Sequence, residues 1–201
     1  SRKSVGERSL KNLALNYLLE NDETEFFDLA LSQLKDSKNM TDAMAAFSGL
    51  MNFDCEHRVE AIDWFYHKWQ SEELVLDKWF TAQALSRLPN TLEEIKKLTR
   101  HGKFDLKNPN RMRSLIGAFC HANQNQFNRL DGKGYELCAS YVLKLDAINP
   151  QLAARLARAF DSWCKFGEER RLLSEQSLNF IKESKCSKDL REVVNKILAL
   201  S

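Results

Sequence analysis

Glycine and proline are scarce in this sequence, at 7 and 3 of 201 residues. An all-β chain needs many such residues to turn between strands, so their shortage argues for helices. Charge of one sign is missing too. The 30 Lys and Arg are nearly matched by 28 Asp and Glu, for a formal net charge of +2. That balance gives no electrostatic footprint for nucleic acid or for an anionic membrane surface. No apolar run approaches the about 20 residues that cross a bilayer, and no signal-peptide pattern opens the chain. The 5 cysteines (55, 120, 138, 164 and 186) are odd in number and scattered, with no CxxC pair. They read as reduced thiols in a reducing compartment, which predicts a cytoplasmic location over a disulfide-stapled secreted one.

Catalytic signatures are absent as well: there is no HExxH, GxSxG, P-loop or GxGxxG. The histidines at 57, 67, 101 and 121 never fall four apart, and no second pair joins Cys55 and His57 to complete a zinc site. Adjacent side chains such as Cys120 and His121 diverge, which does not suit a thiolate–imidazole pair. The chain is therefore predicted to hold no catalytic residue, no metal and no cofactor of its own. Trp64, Trp69 and Trp79 could form a base-stacking platform, but without surrounding basic residues they read as packing. The charge runs at 96–97 and 168–171 are most simply solvated helix faces.

What is present is helical spacing, repeated along a chain that is 43% hydrophobic. Leu10, Leu13, Ala14, Tyr17 and Leu18 share one helix face. Ala43, Phe47 and Leu50 repeat the pattern, as do Leu92, Ile95 and Leu98, then Leu152 and Leu156, then Leu190, Val194 and Ile197. Ser4, Asp22 and Thr91 each precede a glutamate by three residues, the capping-box spacing, and Ser187 is an N-cap candidate. Asn108-Pro109 and Asn149-Pro150 each set a capping residue before a proline suited to the first helical position. The prediction is an all-α chain of about ten or eleven antiparallel helices, each ~10–18 residues long. Their pairing suggests a stacked, solenoid-like array, although no consensus repeat stands in the residues themselves. The longest irregular stretches expected are 101–109 and 121–134, and long loops often carry function.

Two places stand out. Arg111 and Arg113 follow Pro109, and Arg155 and Arg158 follow Pro150, each amid apolar residues. Such arginines either pair with a carboxylate of a neighbouring helix or point into a cavity that receives an anion. A cation near a helix start is mildly unfavourable alone, yet it concentrates positive charge for an anionic ligand. The second place is the turn Asp131-Gly132-Lys133-Gly134-Tyr135, whose glycines permit positive φ and whose aspartate can bond its own backbone. It is either a structural turn or a wall beside a ligand.

Five ordered stretches carry a family resemblance: NMTDAMAAF (39–47), LVLDKWF (74–80), NPNRMRSLIGAF (108–119), DGKGY (131–135) and NPQLAARL (149–156). They resemble the C-terminal domain of bacterial aminopeptidase N, a zinc metallo-aminopeptidase of the gluzincin class. The resemblance implies an all-α, armadillo/HEAT-like superhelix, a single domain over 1–201, packed over a separate catalytic domain of the same polypeptide. That domain would hold the zinc and release N-terminal residues from peptides, while this chain encloses the active site and controls peptide access. By this resemblance Arg113 and Arg155 hold the substrate on its leaving-group side, without doing chemistry. Asn110, Arg111, Asp131, Gly132, Gly134 and Tyr135 are candidates for chamber wall or structural turn. Phe127-Asn128 departs from the Phe-His common in relatives, and Cys120-His121 is not the family's usual loop composition. No activity is expected of the chain alone, and an opening at Ser1 without methionine fits a piece of a larger polypeptide. The rival reading is a free-standing helical-repeat scaffold that binds a partner protein.

Overall fold

The structure is a computed structural model that describes residues 2–200, with side chains from residue 4 onward. It is α-helical throughout, with no strand among the described residues. The contacts divide the chain into two compact units, Ser1–Leu88 and Pro89–Ser201.

The first unit holds α1 (Arg2–Leu19), α2 (Thr24–Asp36), α3 (Met40–Leu50), α4 (Glu56–Trp69) and α5 (Glu73–Ala84). Its core is built by Leu34, Ala46, Phe47, Leu50, Phe65 and Phe80, all essentially sealed from solvent. Phe47 and Phe65 stack with ring centroids 4.5 Å apart. Buried Asp42 joins α1 to α3 by accepting from Lys11 Nζ at 2.5 Å and Asn12 Nδ2 at 3.0 Å. Burial alone would raise its pKa, but hydrogen bonds from Lys11, Asn12 and Asn39 outweigh that and hold the carboxyl below the usual range.

Helix α1 forms as its spacing predicts but buries a different face. Leu10 and Tyr17 are each 70% exposed and Leu13 52%, while Asn12, Leu15 and Leu19 turn inward. The inward set also has helical spacing, and Asn12 is tolerated there because it donates to Asp42 and accepts from Gln33 Nε2 at 2.9 Å. The apolar stripe thus faces outward. The start signals at Ser4 and Asp22 also shift: α1 begins at Arg2, and α2 follows Glu23 without a side-chain cap.

The second unit comprises α6 (Thr91–Leu98), α7 (Pro109–Met112), a π turn (Arg113–Gly117), α8 (Ala118–Ala122), α9 (Gln124–Phe127), α10 (Lys133–Asp146), α11 (Pro150–Ala157), α12 (Glu168–Glu183) and α13 (Lys188–Leu198). Short 3₁₀ turns at 158–160 and 163–165 lead from α11 towards α12. The α-helical segments exceed ten or eleven because the π turn interrupts the helix over 109–122 and α9 forms inside a stretch read as loop. Phe127 packs edge-on to Tyr135 and Phe160, with centroids at 5.1 and 5.5 Å. Three caps fall where the sequence puts them, but the start expected at Thr91 shifts by one: Asn90 precedes α6 and makes no side-chain cap. Asn108 Oδ1 accepts from the N–H of Asn110 and Arg111, Asn149 Oδ1 from Leu152, and Ser187 Oγ from Leu190.

Candidate functional site

Pro109 needs no partner for its absent N–H, and Asn108 satisfies the next two donors, so the chain enters a helix at this point. One turn on, the Ala118 N–H reaches back to Arg113 O, five residues earlier. This π-type bond widens the turn that carries Arg113, and such bulges are frequent at functional sites. The two arginines here part company. Arg111 is only 2% exposed and packs within the unit, whereas Arg113 is exposed and its Nη1 donates to Asn110 Oδ1 at 2.8 Å.

Arg113 and Arg155 line one cavity of about 390 Å³, together with Met112, Gly117, Ala118, His121, Leu152 and Leu156. The two guanidiniums come from different helices that the Asn-Pro starts set in place. Arg155 lies in the last turn of α11, not near its start, where a cation complements the helix dipole. Apart from His121 the walls are small or apolar, so the charge is presented against a surface of low polarity. Such an arrangement suits a carboxylate attached to an apolar body, since planar guanidiniums match carboxylate geometry.

His121 is a member of this cavity that sequence reasoning set aside. Burial depresses its pKa, and the Asp161 carboxylate and the Arg155 carbonyl only partly offset that, so the neutral ring is favoured. The signal was available: Arg113, Gly117 and His121 recur every four residues on one helix face.

The turn at 131–135 lies elsewhere. Asp131 binds the Arg129 guanidinium at 2.8–3.2 Å and accepts from Lys133 N–H at 3.1 Å. Gly132 has φ +71°, and a Cβ on Gly134 would lie 2.2 Å from Phe127 O. Tyr135 is buried, and its hydroxyl donates to Asn128 Oδ1 at 2.9 Å. Asn128 also donates to Gln124, and its own carbonyl accepts from Arg170 Nε at 2.7 Å. None of Asp131, Gly132, Gly134 and Tyr135 lines the arginine cavity, and Asn110 reaches it only through its bond to Arg113.

His57 faces Asp28 at 2.7 Å, and His67 Nδ1 faces Asp63 O at 2.7 Å. Cys120 is fully buried against Cys138, and burial pushes its thiol well up. No three metal-ligating side chains converge, and no helix is long and apolar enough to cross a membrane, among the described residues.

Residues 1–199 match the family described as "Domain of unknown function (DUF3458_C) ARM repeats". The chain is 36% identical to aminopeptidase N of Escherichia coli over 197 residues, 97% of this chain and 22% of that protein. It is 33% identical to aminopeptidase N of Caulobacter vibrioides over 196 residues, 97% of this chain and 23% of that one. The Haemophilus influenzae aminopeptidase N is 34% identical over 199 residues, covering 98% and 23%. Among solved structures, Legionella pneumophila aminopeptidase A in complex with aspartic acid aligns with a TM-score of 0.94 and 36% identity, over 99% of this chain and 24% of that chain. The chain thus spans under a quarter of the length of the proteins it matches.

Proposed function

The chain belongs to the DUF3458_C family of ARM repeats, and from that premise we propose that it is the non-catalytic C-terminal cap of a larger zinc aminopeptidase N. The cap encloses the active site, controls peptide access and holds the leaving-group side of the substrate through Arg113 and Arg155. The observation that carries this reading is the shared cavity, lined by two arginines far apart in sequence on largely apolar walls. The outward stripe of Leu10, Leu13 and Tyr17 supports it, because an apolar helix face of this kind suits a covering domain of the same polypeptide. Both units act as one C-terminal domain in this reading, as the family match across 1–199 favours. With its five free cysteines the enzyme works in the cytoplasm, on peptides and without nucleic acid or membrane.

The hydrolytic chemistry belongs to zinc, which activates water when bound. This chain's residues do not fit that metal: its cavity histidine stands beside two arginines, and no other ligating side chain lines the cavity. What these residues do is position. Two fixed cations bind the carboxylate of a short peptide and hold its scissile bond in register, a contribution of orientation rather than proton transfer.

The test is made in the whole enzyme. Arg113→Ala and Arg155→Ala should each lower kcat/KM about tenfold on dipeptides with a free carboxylate, the scale of one charge-assisted contact. Substrates whose leaving group is an uncharged anilide should lose much less. Equal loss on both, or none, overturns the assignment. Turnover by the isolated chain with stoichiometric zinc would overturn the cap itself.

A further inference from the structure

Two of the four tryptophans differ from the others in what they donate to. Trp79 Nε1 donates to Ile62 O at 3.0 Å and Trp163 Nε1 to Ile197 O at 2.9 Å. Trp64 and Trp69 are half-buried, make no such bond among the described residues, and keep their indole N–H groups in reach of water. Both rings line a cavity of about 250 Å³ in the first unit, with Leu34 and Ala43 as its buried apolar floor.

Cations complete it. Lys38, from the turn after α2, lines the same cavity, and so does Lys68, whose ammonium lies 4.4 Å from the Trp64 ring centroid and 5.4 Å from that of Trp69. Neither lysine is in an ion pair among the described residues, and no Asp or Glu lines the cavity. The nearby Asp42 carboxylate is already engaged by Lys11, Asn12 and Asn39. The cavity therefore combines apolar and aromatic walls with two exposed ammonium groups that are in no ion pair. A ligand that answers both has a flat apolar body and an anionic group. The volume falls below the ~300–1,000 Å³ typical of drug-sized ligands, which limits the body to about one ring.

The geometry points to a binding site for a single-ring aromatic carboxylate between Trp64, Trp69, Lys38 and Lys68. This site does not depend on the aminopeptidase reading. The same chemistry is offered by a free aromatic acid and by the C-terminal phenylalanine of a peptide.

Phenylacetate, titrated into the full ¹⁵N-labelled chain, is the probe, read by the four indole N–H resonances assigned with single Trp→Phe variants. Two of them, Trp64 and Trp69, should shift saturably while Trp79 and Trp163 stay still. Phenethylamine, with the same ring and the opposite charge, should bind at least tenfold more weakly. The double variant Lys38→Gln, Lys68→Gln should weaken phenylacetate at least tenfold at unchanged melting temperature. The Arg113→Ala, Arg155→Ala double variant should leave these shifts intact, which separates this site from the arginine cavity. N-acetylphenylalanine run in parallel assigns the source: tighter binding than phenylacetate indicates a peptide end, weaker binding a free acid. Still indoles, equal binding of phenethylamine, or indifference to the lysine variant overturns the site.

Discussion

The arginine cavity and the turn at 131–135 look equally functional in sequence, and the fold separates them. The cavity is open, its cations reach solvent, and its walls belong to helices that would stand without them. The turn is closed. Its aspartate is held by Arg129, its second glycine admits no Cβ, and its tyrosine is bonded to Asn128. On the proposed reading the turn serves structure, while the two cations on the apolar wall receive the ligand.

Gly134→Ala is expected to break the turn most severely. The new Cβ would meet Phe127 O at 2.2 Å and Gln126 O at 2.8 Å, both backbone atoms that cannot swing aside. Forcing α10 away from α9 should cost about 3 kcal/mol, the upper range for overpacking. For a chain of this length that is a fall of roughly 6–12 °C in melting temperature. Gly6→Ala is the control: nothing lies within 4 Å of its Cβ, and mid-helix alanine should stabilise α1 by roughly 0.5–1 kcal/mol. If Gly134→Ala melts like the wild type, the close approach of α9 and α10 is not a constraint.

Tyr135→Phe is a gentler cut at the same place. It removes the donor to buried Asn128 Oδ1 and should cost about 1–2 kcal/mol, seen as a lower denaturation midpoint. The same residue predicts an alkaline limb. Burial raises the phenol's pKa, with the Ser174 hydroxyl and the Arg170 charge only partly opposing. Below pH 10 the phenol is neutral in both folded and unfolded chains. As pH rises from the ordinary tyrosine value of about 10 towards the elevated one, only the unfolded chain ionises, so stability falls. The variant should lose that part of the alkaline decline; an identical decline in both proteins would mean that Tyr135 does not contribute.

Much of this fold was legible. Asn108, Asn149 and Ser187 announced three helix starts because a cap is a local contract between one side chain and the next N–H groups. The buried rows at Phe47, Ile95 and Leu190 followed from period alone. Helix α1 was not legible in the same way. Its sequence carries two helical rows, and periodicity cannot say that the row of Asn12, Leu15 and Leu19 is the one with a neighbour. The π turn over Arg113–Gly117 has no compositional mark, and Lys38 stands too far from Trp64 in sequence to be read as its neighbour. Arg155 was legible as a candidate, but the end of its helix at Ala157 was not, so its place in the last turn came only with the fold.

The smallest effect on stability sharpens the contrast most. Arg113→Ala removes one exposed bond to Asn110, and Arg155→Ala removes an exposed side chain at a helix end, where the dipole interaction is worth about 0.3–1 kcal/mol at most. Each variant should therefore melt within a degree or two of the wild-type chain. A cation kept for structure would behave otherwise, because its loss would strand the group it had been paired with. Melting curves of the two variants, set beside their loss of dipeptide turnover in the whole enzyme, separate these cases. A drop of many degrees in either variant would give that arginine a structural role and set it beside the buried Arg111. Unchanged melting with impaired turnover would leave the two guanidiniums as groups retained for what enters the cavity between them.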